Sequence, residues 1–129
     1  MMTILDVPAP DAIVSAIKST TLLKTKDVAA RLIDHLGITL TTAIGGAEDT
    51  RAARSWASGE RKPQRPRALK SALQAAIAIS IVHDDESAQS WFTSTNPDLG
   101  WISPLVFVRT AQTDEELNHL VMVAVQDAS

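Results

Sequence analysis

Arg51, Arg54, Ser55 and Ser58 fall on one arc of a helical wheel turned by about 100° per residue, and Ala52, Ala53, Trp56 and Ala57 fall on the other. Guanidiniums and hydroxyls on one face suit nucleic acid. They can form bidentate contacts to guanine edges and hydrogen bonds to phosphate oxygens. Short alanines with one tryptophan let the opposite face dock closely on neighbouring helices. Arg61, Lys62, Arg65 and Arg67 follow directly, where the backbone phosphates of a bound duplex would run. Residues 51–70 carry seven bases against the single acid Glu60, a balance of +6, while the rest of the chain sums to −9. A solvated charged face is the plainer reading of an Arg/Lys run, but the sign imbalance and the clean two-sided wheel favour nucleic-acid contact. The acidic remainder repels DNA elsewhere, so a dimer presenting two such helices is expected.

Other chemistries find little support. There is no cysteine, which removes thiol nucleophiles and Cys-type zinc sites. His35, His83 and His119 have no ligand spacing, so no metal is expected, and His83-Asp84-Asp85 reads as a helix-end break. No Gly-x-Ser-x-Gly, phosphate-loop or His-Glu-x-x-His motif occurs, and Gly45-Gly46 alone is no nucleotide cradle. The chain therefore reads as a non-enzyme without a cofactor. Its 129 residues, 45% apolar and 21% charged, are enough for one globular domain with its own core. The opening residues lack the basic start of a leader, and the apolar stretch around Leu73–Val82 is far short of a membrane span. A cytoplasmic protein without a membrane partner is expected.

Positioning these residues falls to helices, since apolar spacing is helical almost throughout and no strand pattern is convincing. Pro10 and Asp11 can open a first helix, which Ser19-Thr20-Thr21 breaks. Thr25 is placed to cap a second, carrying Val28, Ala29, Leu32, Ile33 and Leu36 to Gly37. Thr39 can cap a short third that stops at Gly45-Gly46, and Asp49 a fourth that ends near Ser58-Gly59. A short helix, a glycine turn and the Arg51–Ser58 helix give helix-turn-helix order, whose second helix enters the major groove. Pro66 suits the first turn of a long helix with so broad an apolar surface that it should lie centrally. Asp84 and Asp85 can start a helix through Ala88, Trp91 and Phe92. Residues 95–100 form a turn, Ser103-Pro104 opens a short helix, and Thr113-Asp114-Glu115-Glu116 is a capping box for the last one.

The run Leu36-Gly37-Ile38-Thr39, then Asp49 through Gly59 with its Trp56-Ala57-Ser58-Gly59 ending, resembles the helix-turn-helix of the Xre/MbcA/ParS antitoxins. Three later elements are similar to that family's toxin-binding domain. They are Ala88-Gln89-Ser90-Trp91-Phe92, Asn96-Pro97-Asp98-Leu99-Gly100 and Ser103-Pro104-Leu105. The resemblance implies an all-α, compact multi-helix protein with a helix-turn-helix at 25–65 and a helical toxin-binding region at 66–129, the segment 1–24 having no clear role. It further implies an antitoxin that neutralises a RES-domain, NAD-consuming toxin, forms homo-oligomers or toxin complexes, and binds operator DNA. Its toxin contacts would lie among Trp91, Asn96, Pro97, Leu99, Trp101, Ser103, Pro104 and Leu105. Two departures stand out: Gly45-Gly46 sits where longer members carry a fuller first helix, and the sequence ends Asp127-Ala128-Ser129 without an extension to plug an active site. The alternative function is a stand-alone helix-turn-helix transcription regulator. Read as folding chemistry, Trp91 and Phe92 are core residues that shape such a surface, whereas Trp101, in a loop, is the better exposed anchor. The spread of Leu117, Leu120, Val121, Met122, Val123 and Val125 suggests that part of the last helix meets another chain.

Overall fold

A computed structural model describes residues 10–129; residues 1–9, the first part of the 1–24 segment, lie outside the described residues. Within it the helices are α1 (Pro10–Lys18), α2 (Thr25–Leu36), α3 (Ile38–Ile44), α4 (Arg51–Ser58), α5 (Pro66–Val82), α6 (Asp85–Thr93), α7 (Pro104–Thr110) and α8 (Asp114–Ala128). The fold is all-α, and the one extended pairing among the described residues is an isolated bridge between Asn96 and Ile102.

Short polar side chains set most of the boundaries. The hydroxyls of Ser19, Thr20 and Thr21 donate back to the carbonyls of Ala16, Ile17 and Lys18, satisfying groups that the end of α1 leaves open. Gly37, at φ +86°, closes α2 by donating its N–H to the Ile33 carbonyl at 2.8 Å, and α3 restarts at the next residue. Asp84, Ser103 and Thr113 each accept a backbone N–H from the first turn of α6, α7 and α8 respectively. Glu116 returns the Thr113 bond, completing the capping box. Those bonds favour the charged carboxylate and hold Glu116 below its usual range, with the Gln112 N–H the largest cause.

Three expected caps are placed differently. Helix α2 begins at Thr25 itself, after Lys24 and without a side-chain cap. Helix α3 begins at Ile38, so Thr39 lies inside it. Thr50 holds the cap position of α4, yet Asp49 still serves that end, its Oδ1 accepting the Arg51 N–H at 2.9 Å.

Helix α5 is the axis of the core. Nine of its 17 residues are buried, so neighbours must cover it on more than one side, and α1, α2, α6 and α8 pack against it. Alanines 72, 75, 76 and 78 keep that surface low and let the surrounding helices approach. The last helix uses most of its apolar breadth within the chain: Leu117, Leu120 and Val123 are buried where α8 packs on α5, while Met122 is 69% exposed. Thr20, fully buried, accepts from Gln74 Nε2 at 3.1 Å and ties the end of α1 to the same axis.

Candidate functional site

Helix α4 presents the face that its wheel demands. Ala53 and Trp56 are buried, Ala52 and Ala57 are half-buried, and Arg51, Arg54 and Ser58 are exposed. Trp56 fixes the helix through Gly45, where a Cβ would collide with the six-membered ring of the indole. A glycine is therefore needed at the end of α3 for close approach rather than for a special dihedral. Six residues, Gly45–Thr50, separate α3 from α4, a longer connection than the three or four of a compact helix-turn-helix. The hydroxyls are turned back on the helix: Ser55 donates to the Ala52 carbonyl at 2.7 Å, and Ser58 to the Ser55 carbonyl at 3.1 Å.

The bases of the 51–70 run have different partners. Arg51 folds onto Asp49, with Nε and Nη2 at 2.9 and 2.6 Å from Oδ2. Hydrogen bonding to Arg51 holds the Asp49 carboxyl down to about 2, and the same contact raises the Arg51 guanidinium. Arg65 is the largest departure from a phosphate-facing role. Its guanidinium donates to the carbonyls of Val108 at 2.8 Å, Arg109 at 3.0 Å and Ala111, tying the end of α7 to the start of α5. These are carbonyls that a helix C-terminus leaves unpaired. Arg67 pairs with Asp114 at 2.5 Å, and Lys70 donates to the Thr21 carbonyl at 3.0 Å. Arg54, Arg61 and Lys62 are exposed and hold no ion pair among the described residues.

The 91–105 segment divides into framework and surface. Asn96, 6% exposed, organises the turn: its Oδ1 accepts the Asp98 N–H at 2.9 Å, its carbonyl accepts from Leu99 and Trp101, and its N–H donates to the Ile102 carbonyl at 3.0 Å. Asn96 Nδ2 and Trp91 Nε1 both donate to Asp127 Oδ2, each at 2.9 Å, anchoring the turn and α6 to the end of α8. Leu99 and Pro104 are buried, Leu105 is half-buried, and Ser103 caps α7 with Oγ 3.2 Å from the Val106 N–H. These residues build the segment. Pro97 is exposed, and Trp101 is 71% exposed, with Ile102 and Val106 exposed on the same loop and on the first turn of α7. Trp101 also has φ +65°, a left-handed conformation that costs a non-glycine residue about 1–2 kcal/mol.

Sequence reasoning missed Asp127, whose role needs a fold that brings residues 91, 96 and 127 together. It also missed Lys24 and Lys26, which join Arg61 and Lys62 around one concavity although they lie outside the 51–70 run. The histidines are separate: His35 Nδ1 meets Asp85 Oδ1 at 2.7 Å, linking α2 to α6, and His119 Nε2 lies 3.0 Å from the Asp98 carbonyl. The His35 bond is the main reason that the Asp85 carboxyl lies below its usual range. No group of three or more metal-ligating side chains occurs among the described residues, and none of their helices is long and apolar enough to cross a membrane. No family model, curated protein or solved structure matches the chain.

Proposed function

We propose that the chain is an antitoxin of the Xre/MbcA/ParS type, with one face for operator DNA and another for a RES-domain, NAD-consuming toxin. The chemistry belongs to the toxin, and the chain acts in the cytoplasm as a non-enzymatic binder. The observation that carries this reading is the pair of exposed faces of unlike chemistry on one all-helical body. One is cationic, with Arg54, Arg61 and Lys62; the other is apolar, with Trp101, Ile102 and Val106. An exposed tryptophan held in a costly backbone conformation is a reasonable interface anchor. Asn96, Leu99, Ser103 and Pro104 support that face from beneath, and Trp91 does so through Asp127. Co-expression with the product of the adjacent gene should yield a complex and rescue growth, and Trp101→Ala should weaken both. Absence of both co-purification and rescue overturns the reading.

The free cations alone favour a second reading, a stand-alone helix-turn-helix regulator. Gel shifts with the chain's own upstream DNA test it. Arg54→Ala should relax sequence preference, whereas Lys62→Ala should weaken all sequences alike and flatten the log–log salt slope by about 0.9. Binding indifferent to salt overturns any DNA role.

A further inference from the structure

The first turn of α2 and the chain leaving α4 enclose a concavity of about 370 Å³. Lys24 and Lys26 from the first segment and Arg61 and Lys62 from the second line it, with no acidic side chain in the lining. None of the four cations has a carboxylate partner among the described residues. Their neighbours in sequence, Asp27 and Glu60, lie outside the lining. Arg61 also lines the adjoining hollow with Asp49, Arg51 and Glu60, where acids offset the bases, whereas Lys24, Lys26 and Lys62 line the first concavity and not that hollow. Like charges gathered on one concavity repel one another, and an anion seated between them lowers that cost.

The walls point to a ligand larger than a bare ion. Trp56, Pro63 and Pro66 contribute an apolar side, and the volume falls in the roughly 300–1,000 Å³ range of small-molecule sites. Trp56 is 6% exposed and lines this side of the concavity. Gly59, at φ +83°, leaves room for the Lys26 stem, whose Cδ lies 3.3 Å from where a Cβ would stand. Helix α2 starts without a side-chain cap, and the N–H groups of Thr25 and Lys26 have no acceptor among the described residues. The positive end of that helix therefore adds to the field of the four side chains.

We propose that this concavity binds a phosphate ester, with Lys24, Lys26, Arg61 and Lys62 holding the anion and the Trp56, Pro63 and Pro66 wall holding the body attached to it. The ester is either a free nucleotide or one phosphate of a nucleic-acid backbone; only the second source rests on the DNA-binding reading above. The test is titration of the 15N-labelled full chain with adenosine monophosphate, adenosine, inorganic phosphate and a short DNA duplex, following the Trp56 indole and the Thr25 and Lys26 amides. The mononucleotide or the duplex should shift these signals saturably and adenosine should not. Lys26→Gln and Arg61→Gln should each weaken binding about tenfold at unchanged Tm. Saturation by the mononucleotide assigns a free ligand, and saturation by the duplex alone assigns a backbone phosphate. A duplex that binds while these signals stay fixed overturns the site and leaves the DNA reading standing. A mononucleotide that binds when no duplex does keeps the site and overturns the DNA reading. No shift with either ligand, or equal shifts with inorganic phosphate or matched chloride, overturns the proposal.

Discussion

The 51–70 run and the 91–105 segment are both conspicuous in the sequence, and the fold treats them in opposite ways. In the first, residues of one kind end in unlike roles: Arg51 on Asp49, Arg65 on the carbonyls ending α7, Arg67 on Asp114, and Arg54 free in solvent. In the second, residues of unlike kind serve one structure, a turn closed by Asn96 and anchored through Asp127. The difference is one of reach. The Asn96 Oδ1 and the Ser103 hydroxyl bond to backbone within a few residues, so neighbours decide those partners, whereas Arg65 and Arg67 engage groups more than forty residues away.

Arg65 offers the sharpest way to break this comparison. If it holds α7 to α5, Arg65→Ala should destabilise the fold by about 2–3 kcal/mol in urea unfolding, and Arg65→Lys should restore little, because an ammonium lacks the planar fork. Unchanged stability with weakened DNA binding would return Arg65 to the phosphate-facing set. Gly45→Ala should cost about 1–3 kcal/mol by forcing the Trp56 ring off α3, and a shifted Trp56 indole resonance should accompany the loss. Asp127→Ala removes the shared acceptor of Trp91 and Asn96 and should cost about 1–2 kcal/mol. Faster amide exchange in residues 96–102 would show that the turn has loosened; exchange unchanged there would mean that the turn is closed by local bonds alone.

The smallest effects are those of pH. Asp49, Asp84, Asp85 and Glu116 all have folded values below their ordinary ones, so each favours the fold above its unfolded value and loses that contribution as pH falls through the folded value. For Asp49 the window runs from its ordinary 3.8 down to about 2. Side-chain NMR titration should place Asp49 there, and Arg51→Gln should return it towards 3.8. An Asp49 titration indifferent to residue 51 would show that the surface pair does not persist in solution.

Much of the fold was legible because local chemistry specifies it. The caps at Ser103 and Thr113, the break after Lys18, the stop at Gly37 and the broad apolar surface of α5 each follow from residues a few positions apart. The two faces of α4 were legible for the same reason, since helical period alone separates Ala53 and Trp56 from Arg51 and Arg54. What the sequence by itself determined was an all-helical chain, its approximate boundaries, and the exposure of Arg54 and Trp101. Only the tertiary structure decided which cations remain free, that Lys24 and Lys26 join Arg61 and Lys62 at one concavity, and that Asp127 holds Trp91 and Asn96. The physical reason is that a helix's period and its caps arise within one or two turns of chain, whereas the partner of a long charged side chain is set by which helix packs beside it.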